Sequence, residues 1–273
     1  MNYLLAHHQV IASALEFFNA EFFFRHKIIF GGGTRIALEL DEYRQSIDID
    51  FLCPNKASYR AVREQVTNNT LGELVKKDFD YIREIRADRD AVRTVIKHQN
   101  TAIKLEFVSF DDYDLGYESN LAKFPIPVLD RVSCFYTKLL ANADRKLTEP
   151  YKDIFDILAM YKAWGSIPQQ SISLAEQHYG LKVVIPDLII AFHKTYQNLL
   201  IVEQIGFVFT SCFNKIAQRD TLGFRYKTPQ MRGFTALSQH HTPLGLTFFP
   251  QALRLVELTI GIYSINRMNA PLK

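Results

Sequence analysis

Cysteine is scarce. The three that occur, Cys53, Cys134 and Cys212, lie far apart, and none has the paired spacing of a zinc or redox site. A disulfide framework is thereby excluded, and buried thiols in a reducing cytosol are the expectation. Zinc chemistry has no other foothold, because neither a His-Glu-x-x-His helix nor a Cys/His finger occurs, and His7-His8 and His240-His241 read as surface histidines. No Lys-Ser/Thr follows the glycines as a P-loop requires, no glycine spacing fits a dinucleotide fold, and no serine sits in a Gly-x-Ser-x-Gly elbow. Long apolar runs are absent too. Leu188–Phe192 and Leu199–Val202 are cut by His193, Lys194 and Glu203, well short of a membrane span. The first helix-like stretch carries Glu16 and Glu21 rather than a leader pattern, so the expectation is a cytoplasmic protein with no membrane partner.

Strong charge of either sign is also missing. A formal net charge of +3 permits a nucleotide or RNA partner without demanding one. With 48% hydrophobic and 22% charged residues the chain is an ordinary folded protein with ample material for a core. The 21 phenylalanines and 13 tyrosines are mostly core by this reading, with some available to line a groove for bases.

What is present begins at Gly31-Gly32-Gly33-Thr34-Arg35, preceded by the apolar Ile28-Ile29-Phe30 and followed by Ile36, Ala37, Leu38 and Leu40. The order predicts a strand, a glycine turn and a helix N-terminus, where free N–H groups and the helix dipole favour an anion. Gly32, Gly33 and Thr34 are the expected holders of a phosphate group. Arg35 and Arg44 either clamp phosphate or pair with Glu39, Asp41 or Glu42. A glycine triplet can also be no more than a flexible turn.

In Ile47-Asp48-Ile49-Asp50-Phe51 the two-residue period of a strand sets Asp48 and Asp50 on one face, with Ile47, Ile49 and Phe51 on the other. Paired carboxylates repel, and beside a phosphate site a divalent ion is the usual compensation. All-oxygen ligation suits Mg²⁺ or Mn²⁺, and a metal pair calls for a third acid on a neighbouring strand. Glu106, alternating with Ile103, Leu105 and Phe107 in Thr101–Val108, is the candidate. The plainer readings are a solvated acidic face for the aspartates and a surface pair with Lys104 for Glu106.

Periodicity predicts a helix over Tyr3–Phe24, another over Ala57–Val75, and strands over Phe79–Arg86, Ala91–His98 and Thr101–Phe110. Beyond Pro125 and Pro127 the pattern turns helical, over Val128–Arg145, Tyr151–Trp164, Ser171–His178, Pro186–Ile205 and Thr247–Met268, while 206–246 gives mixed signals. The fold class is therefore α+β: an N-terminal domain, 1–125, of a small mixed sheet flanked by helices, and a helical domain, 126–273, beside it. Lys138, Asn142 and Arg145 share a polar helix face, where a cation can reach a triphosphate. An inter-helix salt-bridge network, including Lys152 with Asp156, is the plainer alternative for this group.

Gly-Gly, then Asp-x-Asp on the next strand, then a later acid, is the pattern of the nucleotidyltransferase superfamily related to DNA polymerase beta. Within it, Gly32-Gly33-Thr34, the segment Arg44-x-Ser46-x-Asp48-x-Asp50-Phe51 and Lys152-Asp153-Ile154-Phe155-Asp156 resemble the AbiEii/AbiGii toxin family, over roughly residues 20 to 165. The Lys-Asp element is one residue shorter between its landmarks than that family's. The resemblance implies a metal-dependent enzyme that moves a nucleoside monophosphate from a nucleoside triphosphate to an acceptor hydroxyl. It assigns Asp48, Asp50 and Glu106 to metal, Lys138 and Asp153 to the catalytic set, and Gly32, Gly33, Thr34, Arg35, Ser46, Lys138 and Lys152 to the nucleotide, with Asp156 organising the site. It also implies a toxin restrained by a cognate antitoxin, with tRNA as acceptor. An aminoglycoside-type small-molecule nucleotidyltransferase and a non-catalytic nucleotide-binding protein are the alternatives, and acceptor choice separates the first from RNA modification: an acidic pocket against a basic surface.

Overall fold

Asp-x-Asp sits on the second strand of a seven-stranded mixed sheet in the computed structural model, which describes residues 3–119, 123–145 and 152–201. The chain divides into two compact units, 1–194 and 195–273, and the sheet lies wholly in the first. The expected helix over Thr247–Met268, the segment 206–246 and Cys212 lie outside the described residues.

The N-terminal helix expected over Tyr3–Phe24 is two helices, α1 (Ala6–Leu15) and α2 (Ala20–His26). Asn19 causes the break: its side chain accepts the Phe22 N–H at 3.3 Å as the cap of α2, and Phe18 bridges to Val75. Strand β1 (Ile29–Gly31) runs straight into α3 (Gly32–Glu39), then β2 (Asp48–Cys53) follows. Helix α4 (Lys56–Gln65) ends ten residues earlier than expected, because the Thr67–Thr70 segment turns on its own backbone and a 3-10 turn, Gly72–Leu74, takes the rest. The meander is as expected to within a residue: β3 (Asp80–Ala87), β4 (Ala91–His98) and β5 (Thr101–Ser109).

Short strands β6 (Tyr117–Glu118) and β7 (Val128–Leu129) pair with each other. The expected boundary at 125/126 thus runs between two paired strands. Val128 and Leu129 are sheet residues rather than the start of a helix, because Asp130 begins α5 (Arg131–Arg145) by accepting the Ser133 N–H at 2.7 Å. Helices α6 (Lys152–Trp164), α7 (Gln169–Tyr179) and α8 (Val184–Ile201) complete the described chain, with Pro186 in the first turn of α8. No helix among the described residues is long and apolar enough to cross a membrane.

Strand order is β3-β4-β5-β2-β1-β7-β6. β2 lies parallel to β5 and antiparallel to β1, which brings a strand from the glycine turn and a strand from the meander to either side of the aspartates. One face of this sheet is apolar. Ile49, Phe51, Ile103, Leu105 and Phe107 are wholly buried there, and Phe51 stacks on Phe107 at 5.0 Å between ring centres while Phe18 and Phe23 meet it edge-on at 4.7 and 4.8 Å. Among the described residues the aromatic load is therefore mainly core. Ile47, expected on that face, is half exposed, since it precedes the strand. Cys53 and Cys134 are free and buried, and burial pushes the Cys134 thiol up to about 12.

Candidate active site

Register assembles the acids. Asp48 stands opposite Lys104 and Asp50 opposite Glu106 across the β2–β5 pair, so all four side chains emerge on the face away from the aromatic core. Gly31 pairs with Asp50 from the other side. Gly32 has φ +69°, and a methyl group there would fall 2.2 Å from Asp50 Oδ2. Its glycine is thus required twice, by conformation and by the approach of the carboxylate.

The carboxylates are not equivalent. Burial first, then Asp48 and Glu106, push Asp50 up to about 6, against the pull of Lys138 and Lys104. Glu106 is taken by two cations, with Arg93 Nε at 2.9 Å from Oε1 and Lys104 Nζ at 2.9 Å from Oε2. Lys104 is the partner the sequence suggests for Glu106; Arg93, which also holds Asp88 at 2.7 Å, is brought to it by strand pairing. The donor set of Asp48, Asp50 and Glu106 is all oxygen, and its negative charge adds to burial in lifting Asp50, so these residues suit a hard divalent cation. As placed, no three acidic, histidine or cysteine side chains among the described residues converge closely enough to enclose an ion, and Glu106 is held by its two cations.

On the other flank, α3 opens directly from the strand with no side chain capping its first turn. Arg44 reaches over that turn, close enough that a methyl group at Gly33 would lie 1.9 Å from its Nη2. Arg44 pairs with none of Glu39, Asp41 and Glu42. It grips Asp156, 112 residues away, through Nε to Oδ1 at 2.6 Å and Nη2 to Oδ2 at 3.0 Å. Lys138 Nζ touches the same Oδ2 at 2.5 Å and Asp153 at 3.0 Å, and the Tyr43 hydroxyl donates to Asp156 as well. Burial alone would raise the Asp156 carboxyl, but Lys138 and Arg44 outweigh it and hold it well below the usual range. Burial likewise opposes the Lys138 charge, and Asp156 with Asp153 keeps its pKa raised. Arg145 closes the far end, two-pronged on Asp153 at 2.8 and 3.0 Å. The anticipated Lys152–Asp156 pair does not form; Lys152 stands exposed at the start of α6.

Three expected nucleotide contacts sit otherwise. Arg35 is wholly buried, paired with Glu39 and with Glu118 at 3.2 Å, and lies 5.3 Å from the Trp164 ring centre, so its guanidinium braces helices and strands. The Thr34 hydroxyl is buried within 2.7 Å of Ser46 Oγ and 2.5 Å of the Asp48 carbonyl oxygen, which ties the glycine turn to the head of β2. Ser46 is held in turn by buried His8, whose Nε2 accepts the Ser46 N–H at 3.0 Å while Nδ1–H donates to Glu42 at 2.9 Å. Glu42 also accepts the Leu4 and Leu5 N–H groups. His8, expected at the surface, is thus buried, and Glu42, expected beside an arginine, holds it instead; sequence reasoning missed Tyr43 and Arg93, and the alternation of β4, which sets Arg93 opposite Glu106, was the available signal for the latter.

The profile of the nucleotidyl transferase AbiEii toxin family, of type IV toxin–antitoxin systems, matches residues 15–220. The chain belongs to that family. It is a nucleotidyltransferase, and the matched span contains the glycine turn, all three acids and both helices of the Asp156 network. Among solved structures, a protein from H. pylori assigned as a nucleotidyltransferase is 14% identical with a TM-score of 0.47, covering 99% of this chain and 100% of its own. JHP933 from Helicobacter pylori is 14% identical at a TM-score of 0.43, over 96% and 97%. An antigenic nucleotidyltransferase-like protein from Paracoccidioides brasiliensis is 14% identical at 0.36, over 67% and 92%. No curated protein matches the sequence.

Proposed function

We propose that this enzyme transfers a nucleoside monophosphate from a nucleoside triphosphate to an acceptor hydroxyl, releasing pyrophosphate, with Mg²⁺ or Mn²⁺ on Asp48 and Asp50. The observation that carries the reading is the register that sets Asp48, Asp50 and Glu106 on one face, with the open N-terminus of α3 beside them. A bound divalent ion supplies Lewis-acid stabilisation of phosphate oxygens in the transfer. The chain's own groups do the rest. Backbone N–H groups at Gly32 and Gly33 receive phosphate oxygens, and Lys138 with Arg44, held at the turn by Asp156, offsets the negative charge of the triphosphate. Asp153 anchors Lys138 from behind. Glu106 takes up the acceptor's proton once its two cations release it. Lys152, exposed at the head of α6, belongs to the outer part of the nucleotide site. Thr34, Ser46 and Arg35 shape the turn from below.

The type IV toxin–antitoxin family supports a toxin restrained by a cognate antitoxin; tRNA as the acceptor, in the cytoplasm, completes the proposal. Purified protein incubated with Mg²⁺, each labelled nucleoside triphosphate and total RNA tests this directly. Label in a tRNA-sized band, absent with Asp48→Ala or Asp50→Ala, is the expected result. Transfer that survives both substitutions sinks the mechanism. Nucleotide binding without transfer to RNA moves the acceptor to a small molecule such as an aminoglycoside.

A further inference from the structure

The face that carries the acids does not end at Glu106. Strand pairing extends it outward: Arg93 lies opposite Glu106, Val95 opposite Lys104 and Lys97 opposite Ala102 on β4, and then Arg86 lies opposite Arg93 and Arg83 opposite Val95 on β3. Paired residues point to the same side of a sheet, so Lys104, Arg93, Lys97, Arg86 and Arg83 share the face of Asp48 and Asp50. All five are exposed. With neighbouring strands about 4.8 Å apart, they cover about 14 Å from β2 to the sheet edge.

The strip is electrostatically unfinished. Arg86 stands directly opposite Arg93, like charge against like, and while Arg93 is met by Asp88 and Glu106, Arg86 is not. Among the described residues, Arg83, Arg86 and Lys97 make no ion pair, although Asp80 stands opposite Lys97 and Glu84 lies between the two arginines where the register shifts. Glu106 is already shared by Arg93 and Lys104. The most exposed aromatic ring among the described residues, Tyr117, sits on β6 at the opposite edge of the sheet, so the strip has cations for phosphates and no ring for bases.

We infer that the open face of β3, β4 and β5 is a track for the phosphodiester backbone of a nucleic-acid acceptor, with Arg83, Arg86 and Lys97 as its outer contacts, leading the strand to the acids of β2. The inference rests on the nucleotidyl-transfer reading for the acceptor's destination but not for its binding. Repeated phosphates match a linear row of cations, whereas a polycationic aminoglycoside is repelled by it. Recognition is by charge and therefore indifferent to base sequence.

The test uses the full chain without nucleoside triphosphate, and a fluorescent single-stranded RNA of mixed sequence and bulk tRNA as probes, in anisotropy titrations across a range of salt. Arg83→Gln/Arg86→Gln/Lys97→Gln is expected to bind both probes about tenfold or more weaker, with a log–log salt slope shallower by about 3, one per cation removed. Arg83→Lys/Arg86→Lys keeps the charges and is expected to keep the affinity. The melting-temperature rise with Mg²⁺ and nucleoside triphosphate is expected to be the same in all variants. RNA binding that tracks the cations while no nucleotide binding or transfer is found upholds the track and removes the nucleotidyl-transfer reading instead. Unchanged RNA affinity in the triple variant overturns the track, as does weak binding by the lysine variant. Loss of polyglutamate binding with RNA binding intact also overturns it and assigns the face to an acidic protein.

Discussion

Asp50→Asn should make the metal-free protein more stable while destroying its activity. The Asp50 carboxyl ionises at about 6 rather than its ordinary 3.8, because it is buried and faces Asp48 and Glu106. The folded-state value lies above the unfolded one, so the folded protein binds this proton more tightly. Stability from this group is full below about pH 4, declines as pH rises from about 4 to about 6, and stays lost above that. A rise of about two pH units at about 1.4 kcal/mol each gives ~3 kcal/mol as an upper bound. Partial exposure and screening reduce it to about 1–2 kcal/mol. Asparagine removes the charge at nearly constant shape and offers its amide N–H to the neighbouring acids. For a domain of this size the gain corresponds to a rise in melting temperature of roughly 2–8 °C at pH 8. The assay is thermal unfolding of both proteins in chelator at pH 8 and pH 4, then with Mg²⁺ restored. At pH 4 the advantage should shrink toward zero, and Mg²⁺ should stabilise the native protein more than the variant. A variant no more stable than the native chain at pH 8, or equally favoured at both pH values, refutes the account of Asp50 as a strained carboxylate awaiting a cation.

Divalent-metal affinity, measured by calorimetry, should weaken by up to tenfold per pH unit below about 6 as Asp50 takes its proton. Gly33→Ala should push Arg44 off the turn, since the new methyl lies 1.9 Å from Nη2; the displaced atom ends a long side chain, so the expected result is weaker triphosphate binding with little loss of melting temperature. Gly32→Ala combines φ +69° with a 2.2 Å collision with Asp50, and should cost about 1–3 kcal/mol in denaturant unfolding as well as activity. Asp156→Ala strands buried Lys138 and Tyr43 together with Arg44, and urea unfolding should show a loss of about 3–5 kcal/mol.

Much of the catalytic half is legible in the chain because it is local. Glycine before a helix, two-residue alternation in Asp48-Ile49-Asp50 and in Ile103–Phe107, and the β4–β5 hairpin each follow from the conformational rules of a few adjacent residues. The break at Asn19, the early end of α4 and the strand at Val128–Leu129 all read as helix from sequence, because their apolar spacing is compatible with one. Side-chain capping and long-range strand pairing decided otherwise. Arg44 shows the same division within the site: its charge and place near the glycines are plain from sequence, but its partner Asp156 lies 112 residues on.

From the sequence alone came the residue types, the strand-face alternation that pairs Asp48 with Asp50, and the glycine-to-helix turn, since each depends on neighbours along the chain. Tertiary structure alone decided that Arg35 and Thr34 brace the turn, that Asp156 gathers Tyr43, Arg44 and Lys138, and that the cations of β3 and β4 continue the acid-bearing face. Those facts depend on which strands lie side by side and which helices pack over them. Pairing and packing are settled by the summed burial of the whole core, which no local window of sequence contains.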